Sequence, residues 1–135
     1  MLGARQGTME VHMFASRLAA AFISVSLLSP AAAQPAAQTI YLSNFKFSPV
    51  PIHLAAGRPV TLTFVNNSGS GHDFTAKRFF ASSRILAGAA PGGELEFAGN
   101  QTRTITLIPQ RGTYEAHCSH FLHKQMGMSD QIIVN

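Results

Sequence analysis

Residues 117–128 read HCSHFLHKQMGM, and this stretch decides how the rest of the chain is interpreted. It offers one thiol, that of Cys118, together with three imidazoles and two thioethers. Two histidines, a cysteine and a weak axial methionine are the ligand set of electron-transfer copper. Calcium and magnesium prefer oxygen ligands, and zinc is bound by thiolates, imidazoles and carboxylates rather than by thioethers. The stretch therefore predicts a copper site.

A second histidine ligand has to come from elsewhere, because this stretch supplies only Cys118, one histidine and one methionine. His72 is the natural candidate, since it follows a candidate strand and the glycine-rich turn at residues 66–71. The other distant histidine, His53, stands between two aliphatic residues in a short candidate strand. We expect His53 to be a surface or hydrogen-bonded histidine rather than a ligand.

Outward from these residues, the chain reads as short strands separated by turns rich in Gly, Pro and Asn. In the clearest strand Val60, Leu62 and Phe64 fall on one face, and two threonines fall on the other. Several short strands at near-regular spacing predict an all-β sandwich or barrel. The candidate strands are residues 39–43, 52–55, 59–65, 72–75, 94–98, 102–108, 113–118 and 131–134.

Residues 77–86 have no strand pattern, and we expect one or two helical turns there. Phe79, Phe80, Ile85 and Leu86 are expected to pack inward from this segment.

The strand before the cysteine can be divided into two faces, because alternate residues of a strand share a face. Tyr114, Ala116 and Cys118 are predicted to point inward, and Glu115 and His117 outward.

The start of the chain carries the pattern of a secretory signal peptide. Arg17 precedes an apolar run from Leu18 to Leu28, and the small triplet Ala31-Ala-Ala33 follows. A basic start, a short apolar core and an A-x-A exit are the parts of such a signal. The run is shorter than the roughly 20 residues that a membrane span requires.

We therefore expect residues 1–33 to be a signal peptide that is cleaved after Ala33 and directs the protein to the periplasm. Residues 1–12 fit no part of a signal peptide. The alternative interpretation is that the translation start was assigned too early in the sequence. Residues 34–135, 135 − 33 = 102 in number, can bury one hydrophobic core. No stable membrane insertion is expected after cleavage, and a monomer is expected.

The mature chain would carry a mild positive charge, with 8 Lys and Arg against 5 Asp and Glu, or +3. Only Lys77 and Arg78 are adjacent, whereas nucleic-acid binding needs clustered basic residues. No nucleic-acid partner is therefore expected. Cys118 is the one cysteine, so it has no disulfide partner in an oxidising compartment.

With these residues in place, the chain resembles the cupredoxins, the plastocyanin and azurin family of blue-copper proteins. The resemblance rests on Gly71-His-Asp-Phe74, Gly112-Thr-Tyr-Glu-Ala-His-Cys118 and His123-Lys-Gln-Met-Gly-Met128. The spacing Cys-x4-His-x4-Met is known in that family. The similarity runs from Phe45-Lys-Phe-Ser-Pro49 to Ile132-Ile-Val134.

The resemblance implies a Greek-key β-sandwich of roughly seven or eight strands with one short helical segment. It implies one type 1 copper ion, with Cys118 as the thiolate, His72 and His123 as the equatorial imidazoles, and Met128 as the axial thioether. The loop between Cys118 and Met128 would turn round the metal, and His72 is expected to reach in from the opposite sheet.

Three alternatives remain open at this point. Met126 is a second candidate for the axial ligand, because a His-x2-Met spacing also occurs in the family. His120 is a second candidate for the position of His123, although it would leave a very tight loop after the cysteine. Multicopper oxidases share parts of the pattern, but they have His directly after the Cys, where this chain has Ser119, and they need His-x-His pairs that this chain lacks.

One residue departs from the family pattern. The residue after the first histidine ligand is often Asn in the family, and here it is Asp73. In the family this residue braces the ligand loop through the residue after the cysteine, which is Ser119 here. A carboxylate at this place is expected to favour Cu(II) and to lower the reduction potential.

The function implied by the resemblance is one-electron transfer between redox partners, without enzymatic activity. The partner would be a redox protein such as a cytochrome or a copper enzyme. The alternative is a copper chaperone, storage or resistance protein, in which His117, His120 and Met126 serve as additional ligands.

The resemblance also implies that electrons leave through His123, near the surface. Around it Phe121, Leu122 and Met126 would form an apolar docking surface, together with Gly69 and Gly71 of the turn before His72. Its rim would hold Lys77, Arg78 and Lys124.

Overall fold

The computed structural model of the chain describes Gly3, Gly7 and residues 34–135. Apart from these two glycines, the predicted signal peptide lies outside the described residues. The domain predicted from residue 34 onward falls within one compact unit of the chain, Ala32–Asn135. Among the helices that the structure describes, none is long and apolar enough to cross a membrane.

Within residues 34–135, ten strands form two five-stranded sheets. In chain order they are β1 (Ala36–Ser43), β2 (Lys46–Ser48), β3 (Ile52–Leu54), β4 (Val60–Asn66), β5 (His72–Thr75), β6 (Arg84–Ala87), β7 (Glu94–Phe97), β8 (Thr102–Ile108), β9 (Gly112–His117) and β10 (Ser129–Val134). The first sheet has the order β2-β1-β4-β8-β6, and the second has the order β3-β10-β9-β5-β7. One helix, α1 (Lys77–Ser82), and a single 3₁₀ turn, Pro91–Gly93, complete the described elements.

The two sheets share one hydrophobic core, and the clearest sequence pattern lies at its centre. Val60, Leu62 and Phe64 on β4 are buried, and the residues between them are half-buried. The ring of Phe64 lies 4.7 Å from the ring of Phe74 on β5, so aromatic side chains join the sheets. The all-β sandwich is confirmed, with ten strands in place of the seven or eight expected.

Two observed strands were not predicted, β2 and β6, and β6 occupies the end of the segment predicted to be helical. Phe79 and Phe80 are buried as expected. The prediction that Ile85 and Leu86 pack inward is wrong, because these side chains are 38% and 47% exposed on the edge strand β6.

The helix ends at two serines that hydrogen-bond to the Phe79 carbonyl in its last turn. The Ser82 and Ser83 hydroxyls donate to the Phe79 carbonyl at 3.1 and 2.7 Å, and the Ser83 N–H donates to it as well. Ser83 itself is extended. Serine side chains compete with the backbone in this way at helix ends, so the chain leaves α1 as a strand.

The connections determine where the predicted ligands meet. Every connection between β2 and β9 passes from one sheet to the other. The turn after β4 therefore delivers His72 to the second sheet, where β5 lies beside β9 and Thr75 pairs with His117. The expectation that His72 reaches in from the opposite sheet is wrong, because His72 begins a strand of the same sheet that leads to Cys118.

The turn before His72 is held by the side chain of Asn66. Its amide nitrogen donates to the carbonyls of Ser70 and Ala98 at 2.7 and 2.9 Å. Its oxygen accepts from the Ser68 N–H and hydroxyl at 3.1 and 2.9 Å. Asn66 is fully buried, so the turn is tied to the core immediately before the first predicted ligand.

Candidate metal centre

His72 lies at the start of β5 with its ring fully inside the protein. It is 1% exposed, and among the described residues neither Nδ1 nor Nε2 has a hydrogen-bond partner. Buried polar atoms are nearly always paired in native proteins. An unpartnered imidazole at this depth therefore indicates that a group outside the chain, such as a metal ion, completes its bonding.

Cys118 follows β9 and faces the same interior. The predicted alternation is confirmed, since Tyr114, Ala116 and Cys118 are buried and Glu115 is exposed, while His117 is half-buried. The backbone N–H of Asp73 donates to the Cys118 sulfur at 3.4 Å.

The third predicted ligand comes from the loop between β9 and β10. His123 Nδ1 lies 3.4 Å from Cys118 Sγ, and its ring centroid is 5.0 Å from that of His72. The three donor atoms of His72, Cys118 and His123 all lie within 4.8 Å of one another. The structure thus gathers a thiol and two imidazoles at one point.

The loop at residues 118–128, called the ligand loop below, is closed by backbone hydrogen bonds. The Cys118 N–H donates to the Met128 carbonyl at 3.0 Å, and the Met128 N–H donates to the His123 carbonyl at 3.0 Å. Gly127 has a φ of +103°, which a residue with a side chain rarely adopts. The chain can therefore turn sharply back into β10.

The two candidate axial methionines differ in environment. Met128 is fully buried, and its backbone is bonded to both Cys118 and His123. Met126 is 56% exposed. The structure brings the Met128 side chain to the interior and leaves Met126 at the surface.

The remaining histidines have partners or positions of their own. His120 Nε2–H donates to Glu96 Oε1 at 2.9 Å. His117 Nδ1 lies 3.6 Å from Glu115 Oε1 and has no hydrogen-bond partner among the described residues. His53 is exposed on β3, as predicted. The structure therefore gathers His72 and His123, and not these three, around the cysteine.

Asp73 braces the ligand loop from β5. Its buried carboxylate accepts the Ser119 N–H at 2.9 Å on both oxygens and the Ser119 hydroxyl at 2.6 Å. It also accepts the Thr75 hydroxyl at 2.8 Å. Hydrogen bonds to a charged group contribute about 1.5–3 kcal/mol each, so the carboxylate fixes the loop directly after Cys118.

Burial controls the protonation of the two innermost groups. It lowers the pKa of His72, and the neighbouring His123 and His120 rings lower that pKa further. It raises the pKa of the Cys118 thiol. His72 is thus kept neutral, which is the form that binds a metal, and the thiolate needs a cation beside it to form.

A copper ion fits this arrangement. Two imidazoles and a cysteine sulfur converge within 4.8 Å, a buried methionine lies on the same loop, and His72 has no protein partner among the described residues. The cysteine and methionine sulfurs are soft ligands, and a thioether ligand favours copper over zinc.

Sequence reasoning missed several contacts of the ligand loop, two of which involve histidines of the site. Glu96 on β7 holds His120, and the ring of Phe45 meets the ring of His123 edge-on at 5.2 Å. Glu96 stands between the buried Leu95 and Phe97, so its outward direction could have been predicted. Nothing in the sequence pattern places it opposite His120.

Comparison with known proteins gives a family match. A family model described as a cupredoxin-like domain matches residues 16–134, beginning inside the predicted signal peptide. No curated protein matches the chain.

Solved structures share the fold at low identity. The reduced auracyanin from the photosynthetic bacterium Roseiflexus castenholzii is 18% identical, with a TM-score of 0.57 over 77% of this chain and 99% of its own. Auracyanin A, a "blue" copper protein from Chloroflexus aurantiacus, is 21% identical, with a TM-score of 0.52 over 73% and 99%. A multicopper oxidase from Campylobacter jejuni is 12% identical, with a TM-score of 0.58 over 79% of this chain and 31% of the oxidase.

Proposed function

Because the chain belongs to the cupredoxin-like family, we propose that it is a one-electron carrier that holds a single type 1 copper ion and works in the periplasm after export. The observation that carries the proposal is the convergence of His72, Cys118 and His123 within 4.8 Å. Copper is the cofactor, and when bound it supplies one-electron chemistry by changing between Cu(I) and Cu(II).

Four side chains would bind the ion, in two different roles. Cys118, His72 and His123 would be the equatorial ligands, and Met128 would be the axial ligand that tunes rather than anchors. Cys118 and Met128 are fully buried, so they exclude water from the site. The Asp73 brace and the loop's backbone hydrogen bonds hold the ligands in place. Ligands held in this way would rearrange little between the two oxidation states of a bound ion, which would favour fast electron transfer.

The exposed surface of the ligand loop supports a weak docking contact with a redox protein such as a cytochrome or a copper enzyme. Phe121, Leu122 and Met126 are 87%, 48% and 56% exposed. A contiguous apolar patch commonly marks an interaction site, and redox encounters use small interfaces. His123 is half-buried in the same loop, so it is the ligand through which we propose that electrons leave.

The charge at the rim of this patch is smaller than the sequence indicates. Lys124 forms an ion pair with Glu115, so its charge is partly compensated. Lys77 and Arg78 line a small cavity together with Glu115 and His117. Glu115 therefore lies near all three basic residues of the proposed rim, which weakens the steering of an acidic partner.

Copper handling and oxidase activity have less support. Of the additional donors that a copper chaperone would use, His120 is hydrogen-bonded to Glu96, and neither His117 nor His120 belongs to the cluster of donor atoms around Cys118. The chain spans about a third of the multicopper oxidase that it matches. We therefore propose a carrier without enzymatic activity.

An absorption spectrum of the copper-loaded protein tests the proposal. An intense visible band is expected, since a thiolate bound to Cu(II) gives strong charge transfer, and Cys118→Ser should abolish it. His53→Ala, at an exposed histidine on another strand, should leave it unchanged. Mass spectrometry should count one copper per chain. A count of two that falls to one in His117→Ala or His120→Ala would instead favour a copper-handling protein.

A further inference from the structure

We propose that Glu96 is a positioning residue for the metal site and that it acts through His120. The Glu96 carboxylate on β7 accepts the His120 Nε2–H at 2.9 Å. Neither residue is among the proposed ligands. The inference rests on the proposed function only in the experiments that use the copper-loaded protein.

Glu96 stands where it can hold the beginning of the ligand loop. It is the cross-strand partner of Asp73, and directly paired residues of two strands point to the same face. Asp73 binds Ser119, and Glu96 binds the next residue, His120. Two neighbouring carboxylates of the sheet therefore hold two successive residues after Cys118, and Asp73 Oδ2 also lies 3.7 Å from His120 Nε2, beyond hydrogen-bonding distance.

The position of His120 is transmitted to the ligands through the backbone. The His120 carbonyl accepts the His123 N–H at 3.0 Å, the His123 carbonyl accepts the Met128 N–H at 3.0 Å, and the Met128 carbonyl accepts the Cys118 N–H at 3.0 Å. The side chain of His120 adds a second path. Its ring lies 5.4 Å from the ring of His123 and is stacked 6.5 Å from that of His72.

A second glutamate of the sheet provides a matched control. Glu115 also pairs with a residue of the ligand loop, Lys124. The side chains of Glu96 and Glu115 are 54% and 56% exposed. The Lys124 carbonyl, however, accepts only the Gly127 N–H in the described backbone network and no N–H of a proposed ligand. Removing Glu115 therefore removes the same charge from a residue whose loop partner makes no backbone hydrogen bond to a proposed ligand.

Hydrogen exchange in the metal-free protein tests the inference without copper. In Glu96→Ala the amides of His123 and Met128 should exchange about two- to fivefold faster, as expected for the loss of one partly exposed pair. Glu96→Gln keeps an oxygen acceptor and should restore slow exchange, and Glu115→Ala should not change these two amides. His120→Ala removes the hydrogen-bond partner of Glu96. In a protein that carries this substitution, Glu96→Ala should not change amide exchange any further.

In the copper-loaded protein, Glu96→Ala should shift the charge-transfer band. It should also slow electron self-exchange, by about the same two- to fivefold factor as expected for the amides. Glu96→Gln and Glu115→Ala should keep the wild-type band. The inference would be overturned if Glu115→Ala had the same effect as Glu96→Ala. It would also be overturned if Glu96→Gln had the same effect as Glu96→Ala. Altered amide exchange in a protein that gave no charge-transfer band would support the positioning role and refute the proposed electron carrier.

Discussion

At the scale of single residues, Asp73 combines two roles that can be separated by substitution. Its carboxylate holds Ser119 through three hydrogen bonds, and its backbone N–H donates to the cysteine sulfur, so the carboxylate lies close to the proposed site. An asparagine in its place would keep an oxygen acceptor and remove the charge.

We expect Asp73→Asn to raise the reduction potential by tens of millivolts, roughly, because one short-range negative charge that favours Cu(II) is lost. Voltammetry of the wild-type and variant proteins measures the difference. Asp130→Asn, at a partly exposed carboxylate on β10, is the control for a general change of charge. A potential in Asp73→Asn equal to or below that of the wild type would contradict the expectation.

The two methionines of the ligand loop provide a second residue-scale prediction. Met128→Gln should retain copper while changing colour and potential, since an axial ligand tunes the site. Met126→Gln should leave both unchanged, because that side chain is 56% exposed. Absorption spectra and voltammetry distinguish the variants. A changed spectrum in Met126→Gln with an unchanged one in Met128→Gln would assign the axial position to Met126.

The proposed ligands were accessible to sequence reasoning for local reasons. Cys118, His123 and Met128 lie on one short loop whose spacing resembles that of the family, and the resemblance selected them while Met126 and His120 remained alternatives. His72 could be identified by exclusion, but its sheet could not, because that depends on the order of strands. The bond from His120 to Glu96 spans 24 residues, and no local pattern predicts such a contact.

At the scale of elements, the ligand loop presents apolar side chains that the sandwich does not need for its core. We expect Leu122→Glu to slow electron exchange with a redox partner by about tenfold, as for the loss of an interface contact contributing about 1.4 kcal/mol. The copper spectrum should not change, because Leu122 is not a proposed ligand. Stopped-flow kinetics with a reduced cytochrome gives the rate.

Leu86→Glu is the matched control for this substitution. Leu86 is 47% exposed and Leu122 is 48% exposed, but Leu86 lies on the edge strand β6, in the sheet that does not contain the ligands. Equal slowing in both variants would show a general effect of negative charge. A collapsed spectrum in Leu122→Glu would mean that this residue supports the metal site rather than docking.

At the scale of the whole molecule, the boundary between signal and domain can be tested. We expect the periplasmic form of the full chain to begin at Gln34, since the A-x-A exit is read by the signal-processing machinery. Intact-mass measurement of the periplasmic fraction checks the cut. A chain that starts at Gln34 with an added Met should stay in the cytoplasm. An uncleaved product in the membrane fraction would contradict the prediction.

The different burial of the two methionines has a consequence for chemical ageing. Thioethers oxidise to polar sulfoxides, and the more accessible ones react first. Peroxide would therefore reach the exposed Met126 well before the fully buried Met128. Oxidation of Met126 would make the outer surface of the ligand loop more polar, while the sulfur of Met128 stayed intact. An aged protein would keep its colour and lose its recognition of partners first.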